Sequence, residues 1–343
     1  MKSRFKKYGM LISIISCIII IYLCTLLGVA SISFLDANKI LLNQLFHIDL
    51  GMENISAGAV AIIWNVRLPR IILAFITGGA LALCGAAYQG IFKNPMADPY
   101  LLGVSSGAAL GASIGIVLNF SGGFLGLSGT AVLAFIGSFA TILIVYNISK
   151  VGRKVPVATL LLSGIAIGQT LSAIISLLMI FNQEDIAKIM FWTMGSLNGL
   201  GWVQVIAVLP YVLLGCVILL TSVRELDIML LGEDTATQLG VDTERLKKKV
   251  LISSSIITAA VVSVTGIIGF VGLIIPHIVR MVTGPKHRVL VPFSLLFGGA
   301  FLILCDTLAR TVTGQEIPVG IITAAFGGPF FVFLLRRRKK GGM

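Results

Sequence analysis

The chain has 343 residues, of which 57% are hydrophobic and only 12% charged, with a mean hydropathy of +1.02. Soluble domains carry about twice that charged fraction, so the composition excludes a water-soluble enzyme and describes a polytopic membrane protein. The net charge of +12 does not mark a nucleic-acid binder, because the basic residues sit in short clusters between apolar runs, where they act as topology signals.

Lys2, Arg4, Lys6 and Lys7 precede an apolar run at 10–34. That run exceeds the ~7–15 residues of a signal-peptide core and reads as a retained first span. Further runs at 70–91, 99–118, 129–148, 156–181, 202–221, 250–267, 268–283, 289–309 and 317–335 bring the expected total to ten transmembrane helices. The expectation is an all-α membrane protein forming one permease domain over 1–343. The seventh and eighth spans are separated by Gly266-Ile267-Ile268-Gly269-Phe270-Val271-Gly272, the composition of a broken helix pair. With ten spans both termini share a side, and 21 of the 26 Lys and Arg residues fall on it. The positive-inside rule makes that side cytoplasmic. Val155-Pro156-Val157-Ala158 opens the fifth span and Ile317-Pro318-Val319-Gly320 the tenth, from opposite sides. This echo points to an inverted repeat relating spans 2–5 to spans 7–10, a transporter signature.

Several residues break the apolar pattern. Gly103, Gly107, Gly111 and Gly115 recur every fourth position, and such a ladder serves either close helix packing or a smooth wall on a translocation path. Arg67 and Arg70 stand at a helix start, where the macrodipole disfavours cations. They read as snorkelling side chains or as a docking surface for an acidic partner. Asp306 and Arg310 are spaced for a helical ion pair, and Arg310 ends on the same outer surface. His277 reads as a hydrogen-bonded interfacial side chain, with a proton relay as the alternative. Cytoplasmic segment 222–249 is longer than a connector needs. In it Leu230, Leu231, Ala236 and Leu239 alternate with Glu233, Asp234, Thr237 and Gln238 between Gly232 and Gly240, which describes a short helix that docks another protein. The five cysteines lie in apolar runs without metal-ligand spacing, and no GxxxxGK[ST] or HExxH motif occurs. No catalytic residue, metal or cofactor is expected.

Taken together, the chain resembles the iron-chelate and vitamin B12 permeases of type II bacterial ABC importers. The resemblance is carried by Arg67-Leu68-Pro69-Arg70, Lys93-Asn94-Pro95-Met96-Ala97-Asp98-Pro99, Leu102-Gly103-Val104-Ser105-Ser106-Gly107, Gln238-Leu239-Gly240-Val241, Pro276-His277-Ile278-Val279-Arg280 and Asp306-Thr307-Leu308-Ala309-Arg310. It implies a B12-permease-like homodimer in the bacterial cytoplasmic membrane, two ATP-binding cassette subunits on the cytoplasmic face and an extracytoplasmic substrate-binding protein. It places Arg67, Arg70 and Arg310 against acidic residues of that binding protein. It places Leu230, Leu231, Gly232, Glu233, Ala236, Leu239 and Gly240 in the ATPase groove, and a gate near Val157 and Ala158, where the sequence departs from the small polar residues of the B12 permease. The implied cargo is an iron chelate (siderophore or haem), with cobalamin as the alternative. An ion-coupled secondary transporter is the second alternative, and the scarcity of ionisable groups at mid-membrane speaks against it.

Overall fold

The computed structural model describes all residues except 1, 29, 49, 121, 124–125, 153, 313–315 and 341–343, and no side chain among 2–7, 334–335 and 337–340. Arg153 of the topology count therefore lies outside the described residues, and of several terminal cations only the backbone is described.

Nearly all of the described chain is helical. The elements are α1 (Lys2–Leu26), α2 (Phe34–Phe46), α3 (Ala57–Ala61), a π-helical turn (Ile62–Arg67), α4 (Leu68–Ile91), α5 (Val104–Val117), α6 (Gly129–Ile148), α7 (Val157–Phe181), α8 (Ile186–Thr193) and α9 (Trp202–Thr221). The remainder are α10 (Val223–Met229), α11 (Glu233–Gln238), α12 (Thr243–Thr265), α13 (Val271–Thr283), α14 (His287–Thr311) and α15 (Val319–Lys340). Seven helices are long and apolar enough to cross a bilayer, and three shorter apolar ones, α5, α13 and the Val319–Phe333 part of α15, complete the ten.

The first and second spans differ from expectation. The apolar run at 10–34 conceals a helix end at Leu26, after which α2 starts under the cap of Ser33, whose hydroxyl accepts from the Asp36 amide at 3.1 Å. The helix that carries the second span is longer than expected: it runs unbroken from Ala57 to Ile91, so Arg67 and Arg70 stand within a helix and not at its start.

The helices pack as two interlocked, inverted sets. Helix α4 packs on α14 as α12 packs on α6, and α13 meets α4 as α5 meets α12. Likewise α5–α6 answers α13–α14, and α6–α7 answers α14–α15. Each short helix follows a non-helical break: Gly103 at φ 75° precedes α5 and Phe270 at φ 69° precedes α13. Pro156 leads into α7 and Pro318 into α15. The centre is formed by α4 and α12, 83% and 72% buried over their most apolar windows, whereas α7 is only 17% buried and lies at the margin. One core cluster draws its members from Cys24 to Val319.

The glycine ladder serves helix packing. A Cβ on Gly107 would lie 2.5 Å from the Gly137 carbonyl oxygen, one on Gly111 3.0 Å from the Ala134 Cα, and one on Gly115 2.9 Å from the Thr130 Cα, all on α6. Gly103 is the left-handed N-cap of α5 rather than part of its ladder. Without a hydrophobic drive between helices in lipid, such close backbone approach supplies the dispersion contacts that hold α5 to α6.

Candidate functional site

At one end of the bundle the structure brings Arg67, Arg70 and Arg310 together, but it does not expose them. They are 4%, 5% and 5% accessible. Arg70 lays Nε and Nη2 against the fully buried Asp306 carboxylate at 2.9–3.1 Å. Its Nη1 donates to both oxygens of Glu316 at 3.0 and 3.1 Å. Arg310 donates to the carbonyls of Leu27 at 2.7 Å and Cys24 at 2.5 Å, Arg67 to those of Leu26 at 3.0 Å and Ala30 at 2.5 Å. The chain leaving α1 thus crosses the guanidiniums, and Gly28 allows the crossing, since a Cβ there would lie 2.5 Å from the Arg67 Cζ.

One expectation is corrected here. The arginines do not form an open basic surface, because the carbonyls left unpaired at the end of α1 draw the donors of Arg67 and Arg310 inward. Asp306 forms the expected helical ion pair with Arg310, whose Nε stands 3.7 Å off without a hydrogen bond, and it is also hydrogen-bonded by Arg70, 236 positions away. Burial of charge demands such pairing. Glu316, which carries no local sequence signal, was missed.

At the opposite end lie the elements of 222–249. Gly232 at φ 126° and Gly240 at φ 84° bracket α11, and the Asp242 carboxylate caps α12 by accepting from the Arg245 amide at 3.0 Å. Leu231 and Leu239 are 65% and 58% exposed and Leu230 is 40% exposed, a small apolar face. Ala236, expected on that face, is fully buried inside the chain, because α11 turns its small side chain toward α12 and its leucine edge outward. Glu233 is held by Lys247 at 2.5 Å, and Lys247 also donates to Glu244 at 3.0 Å. Asp227 on α10 accepts from the His287 main-chain amide and lies 3.2 Å from its Nδ1. Burial raises the Asp227 carboxyl, but the bonds from His287 outweigh it and hold it below its ordinary value. The pair ties this segment to the start of α14, with His287 itself fully buried. Neither residue was singled out from the sequence, since the two are 60 positions apart.

Val157 and Ala158 begin α7, half-buried and exposed respectively, and the adjoining Val155 amide donates to Glu244 at 3.0 Å. The outward face of α7 carries Gln169, Thr170, Ser172 and Ser176 among exposed aliphatic residues. His277 is half-buried on α13.

Residues 16–337 match the FecCD transport family. The chain is 48% identical over 281 residues, 82% of its length and 75% of the relative's, to the cobalamin import system permease protein BtuC of Halobacterium salinarum. It is 42% identical to the hemin transport system permease protein HmuU of Yersinia pestis, over 81% of this chain and 84% of that one. Among solved structures, a metal-chelate type ABC transporter in an inward-facing conformation superposes with a TM-score of 0.80 at 31% identity, covering 94% of this chain and 98% of that one. The chain therefore belongs to the FecCD transport family and is the membrane-spanning permease subunit of an ABC importer.

Proposed function

We propose that this subunit forms, with a second copy of itself, the translocation path for a bulky metal chelate entering a bacterial cytoplasm. The observation that carries the reading is the outward face of α7. Thr170, Ser172 and Ser176 return their hydroxyls to carbonyls of their own helix, but the exposed Gln169 amide on a helix only 17% buried is better suited to a water-filled seam between two protomers than to lipid. That face bears no charged side chain, which fits a large chelate better than a small oxyanion, whose passage would call for cations. The charge distribution supports cytoplasmic termini and a cytoplasmic-membrane location. The arginine end then faces out toward a binding protein. The exposed Leu230, Leu231 and Leu239 face an ATP-hydrolysing partner, two copies per dimer, and Val157 and Ala158 stand at the inner mouth of the path. ATP hydrolysis belongs to that partner.

Within the chelate class the cargo is an iron chelate, siderophore or haem. Cobalamin is the second reading, favoured by the 48% identity to a cobalamin permease. Uptake of radiolabelled haemin, a ferric siderophore and cobalamin by cells expressing the complete importer decides between them. Accumulation of none of the three, with transport of an oxyanion instead, would overturn the chelate assignment.

A further inference from the structure

We infer that Glu316 occupies, within the chain, the position that a carboxylate of the docking binding protein takes on Arg70, so that docking proceeds by exchange of one carboxylate for another. The inference rests on the proposed docking role of the arginine end and explains how buried guanidiniums can serve it.

The argument begins with charge. Three guanidiniums meet two carboxylates among the described residues of this cluster, and the Arg310 Nε remains without a hydrogen bond. The cluster thus retains one uncompensated positive charge and one unused donor, an electrostatic demand for a further anion. Access comes next. The Asp306 side chain is 0% exposed and that of Arg70 6%, whereas that of Glu316 is 36% exposed. Of the two carboxylates on Arg70, Glu316 is therefore the one that solvent reaches. The two carboxylates also differ in hold. Asp306 receives both Nε and Nη2 of Arg70 in a dry setting, while Glu316 receives Nη1 alone beside solvent, where an ion pair is weak enough to be replaced.

Exchange at this point has a mechanical consequence. Glu316 stands two residues before Pro318, at the start of α15. Beside it the Ile317 amide donates to the Ala309 carbonyl of α14 at 3.1 Å, and the Gly320 amide to the Gly195 carbonyl after α8 at 3.2 Å. Gly320 is so close to the Ile267 carbonyl that a Cβ would lie 3.0 Å from it. Releasing Glu316 removes the tie between the start of α15 and Arg70 on α4, leaving the Ile317 and Gly320 backbone bonds as its hold where α8 and the break before α13 converge. Arrival of a binding protein is thereby converted into mobility at the outer mouth of the path.

The test is the affinity of the assembled permease and ATPase complex, in lipid nanodiscs, for the purified ligand-free binding protein whose cargo the wild-type complex transports. Removing the competing charge in Glu316→Gln should tighten association by about fivefold, the scale of one partly exposed ion pair. Because Arg70→Gln alone would leave the buried Asp306 with only the longer Arg310 contact, the control is the neutral pair Arg70→Gln with Asp306→Asn, which should weaken association at least tenfold and abolish the gain from Glu316→Gln. If the control weakens binding but Glu316→Gln leaves it unchanged or weaker, Glu316 is a structural brace and the inference fails while docking stands. The inference fails equally if the gain survives in the neutral-pair background, since it then does not run through Arg70. If neither change alters affinity, the docking role of the arginine end fails as well.

Discussion

Asp306 holds a bidentate pair with Arg70 at 0% exposure, so the Asp306→Ala variant should lose about 3–5 kcal/mol by leaving Nε and Nη2 of a buried guanidinium without their acceptor. Adding Arg70→Gln should restore part of that loss, because the second change removes those unpaired donors. Thermal unfolding of purified protein in one detergent orders the three chains, and equal stability of the single and double variants would show that the pair does not bear on folding. The glycines offer a sharper contrast. Gly111→Ala pushes a Cβ against the α6 backbone and should cost about 1–3 kcal/mol. Gly168→Ala meets only Ser106 Oγ at 3.5 Å and the Gly103 Cα at 4.0 Å, so it should be neutral or stabilising by up to about 1 kcal/mol. Similar midpoints for the two would contradict backbone contact between α5 and α6.

At the scale of elements, the segment α10–α11 has an exposed leucine face and a buried face. Leu231→Asp with Leu239→Asp changes only exposed side chains, so it should release the ATPase partner while leaving the permease stable. Ala236→Asp should instead destabilise the permease itself, because it buries a carboxylate inside the chain. Co-purification of the ATPase together with a melting curve separates the two outcomes, and partner loss without a stability change in the Ala236 variant would contradict the orientation of α11. The Asp227–His287 tie has its own signature. A carboxyl held below its ordinary value of 3.8 contributes stability that is fully present above that value and fades as the pH falls through the depressed one. Hydrogen exchange over 223–229 should therefore show constant protection from pH 7 down to about pH 4 after correction for intrinsic rates, and Asp227→Ala should remove it throughout. These elements also show what was legible from the chain. Helix α9 was read to its residue limits because Gly201 and Ser222 frame one uninterrupted apolar run. Helix α2 was hidden by an apolar run that continues through Gly28 to Phe34, although Ser33 and Asp36 carried a capping signal. The helix of the second span was read as starting near Arg70 because a charge reads as a helix boundary unless its partner is known, and Asp306 and Glu316 lie 236 and 246 positions away.

For the molecule as a whole, α4 and α14 form one unit that reaches from the arginine cluster to the α10–α11 segment. Their backbones touch through Gly79 and Gly299, where a Cβ would lie 2.9 Å from the Leu295 carbonyl and 2.8 Å from the Phe75 carbonyl. Arg70 and Asp306 join the pair at one end, while Gly90 abuts His287 at the other, about 30 Å away at 1.5 Å per residue. Close backbone packing makes this helix pair the most direct physical link between the two ends, and any binding event it couples at one end must alter binding at the other by the same factor. Docking of a binding protein should accordingly stimulate hydrolysis by the ATPase, and Asp227→Ala should abolish that stimulation while leaving docking intact. The central claim, that this chain is the path of an ATP-driven importer, is tested by reconstituting it with its ATPase in liposomes, adding the chelate-loaded binding protein, and measuring uptake of the labelled chelate. The account predicts accumulation that requires ATP on the face bearing α11 and persists when proton and sodium gradients are collapsed. Uptake driven by an ion gradient without ATP, or ATP hydrolysis indifferent to the loaded binding protein, would contradict it.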